Sequence, residues 1–563
     1  MTKYRLSGTR EIEQKGNEKL NTPTSSATIR VRQSSPQIYP LPIPLPKFVK
    51  PIPSRLKRDE VCFLQIKGAF NVPDIISLRP FLKAYVDHVH PYMPVLDLQG
   101  ILFSITQNDR QRPISLFLLQ SILFVSSTFV PDTLLETVGY SDRSSARRTL
   151  LYRAKVLYDF DVEDDSLAIV QGLLLLTFWH GTPDDLTGCW YWAGLSLTWA
   201  FRMGLHQEDS ARSSRINPRY KHLRRRIWWS VYIRDRLTAL WMQRPARIDD
   251  VAFNIPPLTI EDFDAPISST VLLRFMTDSS YLSNPHTQKT LEKIFIDLSN
   301  LCVSIGQVLA VKFSTWKLGP VTSSTPSLAR PSSSDVSTRH EWRVEECALG
   351  LRQWLQKHGS RYLAEDLSTE ETIVTINASL VHMLHATALV NLYISNTTSQ
   401  SPPEYVLLNC SYPAATVTKI MGDLSQRKLI QYLPITAVNI LISTIAIHVI
   451  EVNSSDLETR SRGYSNLNKC LQILGELSKT YSAATWANIF FEASALGSSA
   501  SLPFRALQRG QESQPFDCMS NPTEPDGLLT NKPDKPAYVD PAELTMDVTA
   551  VSGRTDCPWS AIM

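Results

Sequence analysis

An all-α protein is predicted from three features of the 563-residue sequence. Apolar residues recur every three or four positions along most of 61–506, the spacing of one face of a helix. Convincing alternating runs of strand type are lacking. Three strongly apolar stretches, 114–130, 166–179 and 429–447, read as helices buried on nearly all sides in a large domain. Each holds Ser, Gln, Asn or Pro, and mean hydropathy is −0.12, so burial in protein is favoured over insertion in a bilayer. A multi-pass membrane protein stays as the weaker alternative.

The elements follow in order. Residues 1–60 read as a disordered arm: YPLPIPLPKFVKPIPSRLKR (39–58) favours polyproline II and ends in a basic cluster. Ordered structure is expected from near Val61. In SLRPFLKAYVDHVHPYMPVLDL, Phe81, Leu82, Tyr85 and Val89 share one stripe, which Pro91 and Pro94 terminate. ARRTLLYRAKVLYDF (146–160) repeats Leu150, Leu151, Ala154 and Leu157 or Tyr158 at helical spacing. TGCWYWAGLSLTWAFRMGL (187–205) aligns Trp190, Ala193, Leu197, Phe201 and Leu205. RRRIWWSVYIRDRLTALWMQRPARIDD (224–250) continues through Ile233, Leu237, Leu240 and Trp241 and closes in an extended turn at RPARIDD. GPVTSSTPSLARPSSSDVST (319–338) reads as a Ser/Thr/Pro-rich loop within the 61–506 domain, SNTTSQSPPEY (395–405) as a shorter one, and 507–563 as a disordered tail.

Composition narrows the function. A formal charge of +3 is too small for a chain that coats nucleic acid along its whole length. The first twenty residues contain no apolar core of a secretory signal. Eight cysteines at 62, 189, 302, 347, 410, 470, 518 and 557 include no CxxC pair, so they read as reduced, mostly buried thiols rather than a zinc or redox module.

Catalysis finds little support. His88 and His90 stand two apart, which points them to different helix faces and away from a shared metal. Asp184 and Asp185, after His180, read as a turn and helix cap rather than an acid pair. Phosphate loop, nucleophile elbow and HExxH are all missing. The chain is predicted not to be an enzyme.

The most conspicuous stretch is 224–250, with seven arginines and three tryptophans. With SSRINPRYKHLRRR (213–226) before it, phosphate contact is conceivable. Trp228, Trp229 and Tyr232, however, fall at core-like spacing after the arginines instead of interleaving with them. Asp235, between Arg234 and Arg236, reads as an acid needing compensation from them. A structural role is therefore favoured. Lys47, Lys50, Arg55, Lys57 and Arg58 of the amino-terminal arm are weak candidates for non-specific phosphate contact or nuclear import.

The succession YVDHVHPYMPVLD, YRAKVLYDF, IVQGLLLLTFWH, GCWYWAGLSLTWAFRMGLHQE and RRRIWWSVYIRDRLTALWMQRPARIDDVAFNIPPL resembles the fungal-specific transcription factor domain, the middle regulatory domain of fungal binuclear zinc-cluster regulators. The resemblance is strongest over 82–257 and extends more weakly to about 500. Its signature positions here are Trp190, Trp192, Arg226, Trp228, Trp229, Asp235, Arg236, Arg244 and Pro245. It implies an all-α regulatory domain, nuclear location and control of a catabolic or specialised-metabolite gene set. Implied partners are the transcription machinery or another DNA-binding regulator, with a possible small-molecule effector and no membrane. The family normally reads DNA through six closely spaced cysteines that hold zinc. No cysteine precedes Cys62, so no residue here inherits a zinc ligand and no cofactor is assigned to this chain. An intracellular helical interaction module no longer acting on genes is the runner-up.

Overall fold

The computed structural model describes residues 45–108, 110–180, 187–208, 217–267, 269–313, 333–359, 371–394 and 403–497. Fifteen helices of nine or more residues dominate them. These are α1 (Arg58–Ile66), α2 (Ile75–His88), α3 (Leu98–Gln107), α4 (Leu116–Ser126), α5 (Arg143–Asp159), α6 (Ser166–Leu176), α7 (Cys189–Arg202) and α8 (Pro218–Trp241), then α9 (Pro285–Lys312), α10 (Ser333–His358), α11 (Thr372–Ile394), α12 (Pro403–Gln426), α13 (Thr436–Val452), α14 (Leu457–Ser478) and α15 (Ser482–Gly497). Among the described residues the only β pairing is one isolated parallel bridge, Val49 to Ile114. The all-α expectation holds.

Local chemistry sets where these helices start. Free amides in a first turn need acceptors, and short polar side chains supply them. Asp74 accepts from the amides of Ile76 and Ser77 at 2.9 and 3.0 Å, Ser115 from Leu118 at 3.2 Å, and Asp142 from Ser145 at 2.7 Å. Two long helices, α8 and α9, both begin with Asn followed by Pro, Asn217–Pro218 and Asn284–Pro285. Proline has no amide to leave unpaired there, and its ring presets the helical φ.

The apolar stretches become the centre of the packing. Every residue of α4 is buried, and α4 packs against α2, α5 and α6. The α6 helix leads through α7 to α8, which meets α9. From α9 the chain contacts α11, and α11 through α15 form the carboxy-terminal layer. Two described helices, α9 and α11, are long and apolar enough to cross a bilayer. Both lie largely inside the packed body.

Close approach in this core requires glycine at one crossing. A Cβ built on Gly172 of α6 would lie 2.3 Å from the Phe117 ring of α4, well inside contact distance. Gly172→Ala should therefore cost about 1–3 kcal/mol of stability by forcing that ring or helix aside. Urea unfolding measures this, and an unchanged midpoint would mean that α4 and α6 do not meet so tightly.

Two expected boundaries move. Packed residues occur ahead of the expected start near Val61. Phe48 and Val49 are buried, and Lys50 N and Ile114 N complete the bridge at 2.9 and 2.7 Å. Alternating prolines had hidden this, because the segment contributes two apolar side chains but hardly any periodicity. Of the expected loop 319–338, residues 333–338 belong to α10 and the rest lies outside the described residues. The tail 507–563 lies outside them too, and within the 395–405 loop only 403–405 is described, as the start of α12.

Candidate functional site

The conspicuous arginines are consumed inside the protein. Arg224 donates to the carbonyls of Met203 and Gly204 at 3.2 and 3.3 Å, where helix α7 ends and leaves its last carbonyls open. Arg225 bridges Glu208 at 2.5 Å and Asp262 at 3.1 Å. Arg226 is only 2% exposed. It pairs with Asp264 at 3.0 Å and reaches the carbonyls of Asp262 and Leu96 at 3.3 and 3.4 Å. Three consecutive guanidiniums thus tie the start of α8 to three other parts of the chain. A phosphate backbone would have to displace these internal partners to use them.

The aromatic cluster begins within the next turn. Trp228 is fully buried, with its ring 5.4 Å from Phe253, 5.9 Å from Phe201 and 6.1 Å from His206. Trp229 lies 5.2 Å from Tyr232, and its Nε1 donates to the Pro256 carbonyl at 2.9 Å. Phe253, from VAFNIPPL, touches all three of these rings. It was missed in the sequence because it sits in an irregular segment without helical spacing.

Asp235 and Arg236 then hold the RPARIDD turn. Asp235 accepts from Arg236 Nη1 at 2.8 Å and from the Arg247 and Ile248 amides, at 3.1 Å for each of their nearer contacts. Arg236 also donates to the Ile248 carbonyl at 2.9 Å and to Asp250 at 2.5 Å, and stacks 4.3 Å over Tyr232. The Tyr232 hydroxyl donates to Asp250 at 2.8 Å. Burial pushes the Asp235 carboxyl up, with Arg236 and the two amides opposing. Helix α9 closes over this pair at Gly306, where a Cβ would lie 2.8 Å from Arg236 Nε. Trp190 completes the turn from α7: Arg247 stacks 3.5 Å above its ring and donates to its carbonyl at 3.0 Å, and Arg244 stands 5.1 Å away. Pro245 follows in the same turn, and Trp192 is buried beside Tyr191.

The expected sharing of Asp235 between both neighbouring arginines needs correcting. Arg236 takes it alone, because successive helix residues point about 100° apart. Arg234 faces another way, over the Phe178 ring at 4.4 Å.

The remaining candidates scatter. Lys50 pairs with Glu163 at 2.7 Å. Arg55 lies 3.9 Å from Asp164 and donates to the Asp161 carbonyl. The acidic run 161–165 therefore engages part of the basic arm, while Lys47, Lys57 and Arg58 stay exposed. His88 stacks on Tyr432 at 4.7 Å and His90 lies against Tyr85 and Tyr281. Burial drives the His90 pKa down to about 3. No group of three potential metal ligands occurs among the described residues. Asp184 and Asp185 lie outside the described residues.

Comparison with known proteins accords with this arrangement. Residues 82–339 match the fungal specific transcription factor domain. The chain is 32% identical over 470 residues to Cutinase transcription factor 1 beta of Fusarium vanettenii, covering 80% of this chain and 53% of that protein. It is 29% identical over 483 residues to Transcription factor cpaR of Aspergillus oryzae, covering 81% and 79% respectively. A Fusaric acid cluster transcription factor of Gibberella moniliformis matches at 29% over 314 residues, covering 54% of this chain and 42% of the relative. The chain spans about half the length of Cutinase transcription factor 1 beta and of a Transcription factor of Fusarium pseudograminearum, to which it is 31% identical. No solved structure matches. These relatives are regulators of transcription, not enzymes. Residues 82–339 of this chain are a fungal specific transcription factor domain, and its relatives are fungal transcription factors.

Proposed function

We propose that this chain is the regulatory part of a fungal transcriptional regulator and acts in the nucleus on a catabolic or specialised-metabolite gene set. The observation that carries this reading is similarity over about four-fifths of the chain to fungal transcription factors, one named for cutinase and another, by a shorter match, for a fusaric acid cluster. The helical domain controls output, and DNA is reached through a zinc-bearing reader or a partner regulator. Internal pairing of Arg224, Arg225 and Arg226 supports that division of labour. Sequence-independent DNA affinity comes from cations free to replace counterions, and these are already spent.

A reporter assay tests the proposal. The chain, fused to a heterologous DNA-binding domain, should change expression of a reporter carrying that domain's operator. The unfused chain should accumulate in nuclei and, when purified, should not retard duplex DNA at physiological salt. An inert fusion together with cytoplasmic location would favour the interaction-module reading. Salt-sensitive DNA retardation lost on substituting Arg224, Arg225 and Arg226 would return DNA contact to this helix.

A further inference from the structure

We propose that Arg234 anchors a buried site for a small organic monocarboxylate, which this domain senses. The carboxylate's regulatory meaning rests on the reading above; its binding does not.

Arg234 is 4% exposed. Its Nε and Nη2, the two nitrogens along one edge of the guanidinium, are buried without an acceptor. No described carboxylate pairs with it, whereas every other buried arginine of α8 has an acid: Arg226 has Asp264, and Arg236 has Asp235 and Asp250. The open edge presents two parallel N–H donors, the fork that a planar carboxylate fills with two hydrogen bonds. A buried cation with neither counter-charge nor acceptors is costly to fold around, so an anion that arrives there gains unusually much.

Independent observations at the same place point the same way. Arg147 of α5 is also 4% exposed. It donates to the Thr128 hydroxyl at 2.6 Å and to the Phe178 carbonyl at 3.1 Å, again with no described carboxylate. Two guanidiniums therefore flank Phe178, one at its ring and one at its carbonyl, with no described carboxylate paired to either. His180, two residues on, buries an unpartnered Nδ1, while its Nε2 stands 3.5 Å from Asn439 Nδ2. Burial first, and then the two arginines, hold this imidazole neutral, with a pKa near 3. It adds no charge and offers a nitrogen to the ligand.

The neighbouring side chains select the ligand's body. Arg234 lies over Phe178 at 4.4 Å and Tyr92 at 5.8 Å, and the buried Cys189 thiol is near enough to act on it electrostatically. Rings and a thiol favour an apolar tail over a second charge. Phosphate would bring more charge and a heavier desolvation cost than this edge can offset.

The test uses the full chain, by calorimetry and thermal unfolding, with sodium hexanoate, benzoate, acetate and succinate as probes. Chloride and phosphate at matched ionic strength are the controls. Hexanoate or benzoate should bind saturably and raise the melting temperature, and chloride and phosphate should not. Arg234→Met should stay folded, with an unchanged or higher melting temperature because an unbalanced charge is gone, and should lose affinity about tenfold or more. If that variant does not fold, Arg234→Gln and His180→Ala provide the same comparison. No saturable response to any carboxylate, an equal response to chloride or phosphate, or an undiminished response in the variants overturns the site. So does a loss of stability in D184N/D185N that Arg234→Met suppresses, which would assign the anion to this chain. Carboxylate binding that leaves the reporter fusion unaltered keeps the site and removes its regulatory role. An active fusion with no binding removes the site and leaves the regulator reading standing.

Discussion

Trp228→Ala is expected to lower the free energy of unfolding by about 3–5 kcal/mol, the usual cost of emptying a fully enclosed aromatic site. The ring is completely buried between Phe201, His206 and Phe253, which come from α7 and from the segments after α7 and α8. Collapse of the cavity would require three separate pieces of chain to move together. Its Nε1 is buried without a partner, so the substitution also relieves one unsatisfied donor and pulls the cost toward the lower end of the range. Urea denaturation followed by far-ultraviolet circular dichroism measures it, since tryptophan emission would itself change. A midpoint shift equivalent to less than about 1 kcal/mol would show that the ring is not core.

Asp235→Ala should be similarly severe, about 3–5 kcal/mol, because it strands a buried arginine and two turn amides together. The Arg247 and Ile248 amides lose their acceptor, so the RPARIDD turn should loosen as well as the helix pair. Asp250 still holds Arg236 from the other side at 2.5 Å, which keeps the guanidinium partly paired. Replacing both members with apolar residues, as in D235L/R236M, should recover much of the loss, since the costly element is the unpaired charge and not the missing pair. A double-mutant cycle reads the coupling directly. Additive losses would mean that the two residues act independently and that the ion pair does not organise the turn.

Much of the architecture was legible before any coordinates. Helical spacing located α2, α5, α7 and α8, and the three apolar stretches became buried elements of the packed body. Asn217–Pro218 marks the start of α8 through purely local chemistry. What escaped was irregular chain. Phe48 and Val49 pack in a proline-rich arm, and Phe253 completes the tryptophan cluster from a loop, each without a period to betray it. The 224–250 stretch identified the kind of domain, and its tryptophans were correctly read as core.

Charge partnerships divide what the sequence by itself determined from what only the tertiary structure decided. Which residues form helices, and which helix faces are apolar, follows from spacing and caps within a few turns of chain. That Arg224, Arg225 and Arg226 would be internal ties was not determined locally, because their acceptors lie at 203, 204, 208, 262 and 264 and at Leu96. Nor could sequence say that Asp235 would choose Arg236 and leave Arg234 facing Phe178 with an open edge. A helix sets the angle between successive side chains, but the groups waiting on each side come from distant segments. Whether a buried charge meets an acid or an aromatic ring is settled only when those segments pack.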